Sequence, residues 1–151
     1  MTSAAVEARS DRWLRAIVYG LLAEVATIFT IIAIVMTYRY VIDRGVSDAD
    51  YAAFAARVGA VVGIAGGTLY TFLFARLLMR RLSARQASHG VVVAIAAIAL
   101  SISGSLAGHH GLPTGYVLAS ALKIAAGVLA AFTATAPGRA TKKEVSQSYQ
   151  P

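Results

Sequence analysis

Apolar residues run through this chain in four long blocks, each closed by arginine, glycine or proline. The first is residues 16–37, AIVYGLLAEVATIFTIIAIVMT, between Arg15 and Arg39 and broken by one acid, Glu24. As a helix it is about 33 Å long at 1.5 Å per residue, enough for a hydrocarbon core of about 30 Å. Further spans are predicted at 53–77, 90–108 and 115–136. The run at 16–37 is too long for a signal-peptide core, and no small-residue cleavage site follows it, so it is read as an uncleaved span. Ser47 precedes Asp48 and Asp50, which predicts an N-cap with acids in the first helical turn. Asp43-Arg44-Gly45 reads as a turn. Pro113 sits where the fourth helix is expected to start.

The expected fold is all-α, an integral membrane four-helix antiparallel bundle with both termini cytoplasmic. Residues 1–15 form a basic N-terminus whose first residues are expected to be mobile. Residues 16–136 form the membrane domain, and 137–151 a basic, disordered tail. The orientation comes from basic residues. Arg9, Arg12, Arg15, Arg76, Arg80, Arg81, Arg85, Arg139, Lys142 and Lys143 fall on one side, and only Arg39, Arg44 and Arg57 on the other. A bacterial inner membrane is the expected location.

Composition agrees. Of 151 residues, 58% are hydrophobic and 14% charged, against roughly 25% charged in soluble domains. The net charge of +7 sits at the ends of apolar runs, so lipid headgroups rather than nucleic acid are its expected partner. There is no cysteine, hence no disulfide or thiolate metal site.

At 100° per residue each span shows a small face opposite a bulky one. Span one carries Gly20, Ala23, Glu24, Thr27, Thr30 and Thr37 on it. Span two carries Ala52, Ala56, Gly59, Gly63, Gly66 and Tyr70, and span three Ala94, Ala97, Ser101, Gly104, Ser105 and Gly108. On span four the face is Ala119, Ser120, Lys123, Ala126, Gly127, Ala130 and Ala134. Lipid solvates leucine as well as another helix does, so helices associate through small residues and polar pairs. The small faces should therefore point inward. Gly59-xxx-Gly63 and Gly63-xxx-Gly67, with Gly66, also suit an oligomer face or a membrane-protein partner. Arg76, Arg80, Arg81 and Arg85 suit snorkelling to anionic headgroups, or binding a partner protein.

Glu24 and Lys123 are the candidate site. An ionisable group at such depth costs at least about 2.5–3.5 kcal/mol and faces a partner or a wet cavity. A direct pair meets two objections: the depths differ by about 7 Å, and the side chains lean toward opposite ends of the bundle. The other readings are separate solvation, with Glu24 reaching Thr27 or water and Lys123 snorkelling, or coupling of proton release at Glu24 to solute movement. The segment LLAEV, residues 21–25, resembles the first helix of the small multidrug resistance transporters. That resemblance implies four helices, a dimer and an essential membrane glutamate, which is Glu24 here. This chain departs from it in a longer first outer loop, a longer tail and Lys123.

Other polar residues carry no chemistry. His109 and His110 are adjacent, without the i, i+4 spacing of a metal pair. His89 and His109 lie too far apart along one helix to share a haem, Ser101, Ser103 and Ser105 lack a paired base, and Gly66-Gly67 is inside a span. No catalytic, metal or cofactor set is present, so an enzyme is not expected. The two functional readings are an oligomeric transporter or channel-like protein, and a non-catalytic subunit or scaffold binding proteins or anionic lipid.

Overall fold

A computed structural model describes residues 3–82, 87–107 and 115–134, with side chains from residue 11 onward. The described residues form four helices and no strand: α1 (Ser3–Thr37), α2 (Asp48–Arg81), α3 (Ala87–Ala107) and α4 (Tyr116–Thr133). All four are long and apolar enough to cross a membrane. Arg85, Gly108, the His109–His110 loop, Pro113 and the tail from 135 lie outside the described residues.

The N-terminal segment expected to be mobile is helical from Ser3, because Ala, Glu and Arg supply helix formers and no Gly or Pro intervenes. At its other end α1 gives way to a π-helical turn, Tyr38–Ile42, in which the Asp43 amide donates to the Tyr38 carbonyl at 2.9 Å. Gly45 N–H donates to Asp43 Oδ1, closing the expected turn. Ser47 caps α2 as its sequence predicts: its Oγ accepts from the Asp50 amide at 3.2 Å.

Around the bundle the order is α1, α2, α4, α3, so α1 and α4 face each other across a diagonal. Successive helices run antiparallel. Thr30 of α1 bonds Tyr70 of α2 through their hydroxyls at 2.9 Å, while Tyr38 stacks on Phe54. On the opposite wall Gly90 of α3 meets Gly127 of α4, and Tyr116 of α4 donates to the Ile98 carbonyl of α3. At one end lie the exposed Arg15, Arg80 and Arg81, here called the basic end.

The interior is built of small residues. Ala16, Ala75, Val93 and Ala130, one from each helix, are fully buried in one cluster with Leu78. Bulky residues such as Phe29, Leu69, Ile95, Leu129 and Phe132 point outward. In water that surface would be an aggregation liability; in lipid it is the ordinary exterior. Three details differ from expectation. Thr37, the last residue of the span-one small face, is exposed, with its hydroxyl donating to the Ala33 carbonyl. The buried face of α2 toward the basic end is Gly67, Thr71 and Ala75, rotated by one residue from the Gly66 and Tyr70 face. Tyr70 instead stands at the flank of α1, where its hydroxyl finds Thr30. Leu78 and Met79 are also buried.

Close backbone approach is sharpest near the basic end. A Cβ at Gly90 would overlap the Gly127 carbonyl, and one at Gly127 would overlap that of Gly90. A Cβ at Gly20 would overlap the Val93 carbonyl in the same way. Toward the other end the helices spread, and added Cβ atoms at Gly59, Gly63 and Gly104 would meet nothing within 4 Å.

Candidate functional site

Glu24 and Lys123 pair directly. Lys123 Nζ donates to Glu24 Oε2 at 2.6 Å and to Ser101 Oγ at 3.0 Å. Ser101 Oγ donates in turn to Glu24 Oε1. The three side chains close a ring contributed by α1, α3 and α4, with Glu24 and Lys123 at 6% and 4% exposure. Each carboxylate oxygen has a donor, and two of the three ammonium hydrogens have acceptors. Opposite charges then neutralise one another where either alone would be costly.

The depth objection yields to the helix register, and the opposite lean to the reach of the lysine side chain. Ala16 and Ala130 share one buried cluster. Glu24 lies eight residues beyond Ala16 and Lys123 seven before Ala130, so their Cα atoms are level to within about one 1.5 Å rise. The expected mismatch came from treating all spans as filling one slab. In fact α4 has 18 residues and α1 has 35, so α1 overhangs. The diagonal distance is bridged by the length of lysine, and α2 makes room for it. A Cβ at Gly67 would sit 2.7 Å from Lys123 Cε.

Above the ring the spread helices leave a half-open cavity of about 410 Å³. All four line it: Glu24, Ile28 and Ile31 from α1; Gly59, Ala60, Gly63 and Ile64 from α2; Leu100, Ser101, Gly104 and Ser105 from α3; Tyr116, Ala119, Ser120 and Lys123 from α4. On α1, α3 and α4 the lining reaches down to the ring itself, at Glu24, Ser101 and Lys123; on α2 it stops at Ile64, about one turn above Gly67, so the ring is the floor. Beneath it are the close contacts of Gly20 and the fully buried alanine layer. A second cleft, about 500 Å³, lies outside the bundle between the π-helical turn and the start of α2, lined by residues that include Asp43, Asp50 and Arg57.

The remaining candidates scatter. Thr27 is buried one turn from Glu24, but its hydroxyl donates to the Ala23 carbonyl at 2.9 Å and so is not the carboxylate's partner. Gly59 and Gly63 face the cavity, Gly67 faces Lys123, and a Cβ at Gly66 would meet only Val62 of its own helix. The glycines thus divide between lysine, cavity and flank. Arg80 and Arg81 are exposed, and Arg76 is half-buried with no hydrogen-bond partner at Nε among the described residues. Trp13 stacks on His89 with centroids 4.6 Å apart. Among the described residues no three His, Asp or Glu side chains gather into a metal site.

Two site residues escaped the sequence reading. Ser101 lies on the small face of span three, but the lack of a paired base gives it no chemistry from sequence alone. Its position in the stripe Ala94, Ala97, Ser101 was the available signal. Tyr116 lines the cavity with its hydroxyl anchored on Ile98, and nothing in its spacing marks it. No protein-family model matches the chain, and neither a curated protein nor a solved structure matches it.

Proposed function

We propose that this is a multi-pass cell-membrane protein that moves a small solute, with both termini cytoplasmic and the cavity opening to the outside. In this reading the Glu24–Ser101–Lys123 ring is the inner gate. The single observation that carries it is a cavity running through the half of the bundle away from the basic end and stopping on a buried ion pair. A structural pair has no need of an open approach, whereas a gate does. The bias of basic residues toward the closed end supports the orientation. Passage requires the pair to separate and the contacts of Gly20, Gly90 and Gly127 to loosen. That is a rocking of the helices of the kind that produces alternating access.

A second reading is a non-catalytic subunit or scaffold. Exposed Arg80 and Arg81 at the end of α2 favour it, since they suit anionic headgroups or an acidic partner surface. Osmotic swelling of proteoliposomes separates the two. The transport reading expects at least one class of small solute, neutral, zwitterionic, cationic or anionic, to enter faster than into empty liposomes. Gly63→Phe, which fills the cavity from a position with open space around it, should remove most of that excess. Swelling equal to that of empty liposomes for every class would reject transport and leave the scaffold.

A further inference from the structure

The charge balance of the cavity selects its ligand. Among the lining residues the only charges are one carboxylate, Glu24, and one ammonium, Lys123. They are held 2.6 Å apart and are nearly shielded from solvent. Any ligand that reaches the floor must compete with a contact made in a low-dielectric setting. A monoanion would take Lys123 and leave Glu24 with the Ser101 hydroxyl alone. A monocation would take Glu24 and strand Lys123. In either case a buried charge is left uncompensated, which is the expensive way to open such a pair. A neutral solute provides no charge to replace the one it displaces.

We propose that the cavity takes a zwitterion with an aliphatic body, of the size of a branched-chain amino acid. Its carboxylate replaces Glu24 on Lys123, its ammonium replaces Lys123 on Glu24, and one ion pair becomes two. The third hydrogen of the lysine ammonium, beyond the two given to Glu24 and Ser101, is available for first contact. The long lysine stem, running over Gly67, lets the ammonium swing without a backbone shift. The walls choose the rest of the ligand. Ile28, Ile31, Ile64 and Leu100 present branched apolar surface, and the missing side chain at Gly63 leaves width for a branched one. At about 410 Å³ the cavity is toward the small end of ligand pockets, which run from about 300 to 1,000 Å³.

The ligand class deepens the transport reading and rests on its assignment of the cavity as the solute's site. Its test is equilibrium binding rather than flux. The full chain in nanodiscs is titrated calorimetrically with leucine, with isocaproate, which lacks the ammonium, and with isoamylamine, which lacks the carboxylate. Leucine is expected to bind at least about tenfold more tightly than either, because each analogue strands one buried charge. Gly63→Phe should abolish that binding without lowering the unfolding midpoint. Either analogue binding as tightly as leucine overturns the proposal. So does leucine binding that survives Gly63→Phe, and so does no leucine binding at millimolar concentration. Leucine bound with no swelling above empty liposomes upholds the ligand class and rejects transport. Swelling by another solute class with leucine unbound rejects the ligand class and leaves transport standing.

Discussion

Lys123→Met destabilises the bundle by about 3–5 kcal/mol, the usual result of removing one partner from a buried pair. The loss comes less from the missing attraction than from the carboxylate left behind. Glu24 would retain the Ser101 hydroxyl but keep a full charge at 6% exposure. Glu24→Gln alone should also destabilise, by stranding the ammonium. The double variant Glu24→Gln/Lys123→Met is expected to be more stable than Lys123→Met, since apolar or neutral replacements of a whole buried pair are often near neutral. SDS-driven unfolding in mixed micelles measures all four corners of the cycle. Additive losses would mean that the two side chains do not act on each other.

Gly127→Leu is expected to destabilise by about 3 kcal/mol, at the upper end of overpacking effects. The first added atom would overlap the Gly90 carbonyl. The obstacle is backbone, not the tip of a flexible side chain, so α3 and α4 must move apart along their length. That motion would also widen the fully buried layer of Ala16, Ala75, Val93 and Ala130, about 10 Å beneath the ring. Gly90→Leu should behave alike. Gly104→Ala is the control: its Cβ would meet nothing within 4 Å. Alanine there should be neutral or stabilising by up to about 1 kcal/mol through helix propensity. The same unfolding assay reads all three, and equal losses at Gly104 and Gly127 would refute the close approach.

Much of the fold was legible because a membrane imposes simple rules on sequence. Length and apolarity marked four helices, and small residues marked three of the inward faces. Ala94 and Ala97 of α3, Gly127 and Ala130 of α4, and Gly20 and Ala23 of α1 are all buried. On α2 the stripe slipped by one residue. Glycines at 59, 63, 66 and 67 allow two nearly equivalent faces, and only the lysine across the bundle distinguishes Gly67 from Gly66. The charged pair was harder. Whether Glu24 and Lys123 meet depends on how far α4 is shifted along α1 and on which helices share a wall, and neither is encoded in one span. The structure puts spans one and four on a diagonal, where a pair needs a long side chain and a glycine beside it. Gly90 continues the stripe of Ala94 and Ala97 by one turn. At the start of the span a lone glycine is equally consistent with a helix end, so the stripe does not mark it.

The absence of native cysteine allows single cysteines to report on the central claim, a bundle shut at its basic end and open at the other. Ser105→Cys and Gly63→Cys line the cavity, whereas Ala94→Cys lies in the fully buried layer below the ring. With a membrane-impermeant maleimide added to intact cells, labelling is expected at 105 and 63, and at 94 only after denaturation. Equal labelling at 94 and 105, or labelling at 105 only from the cytoplasmic face of inverted vesicles, would contradict it.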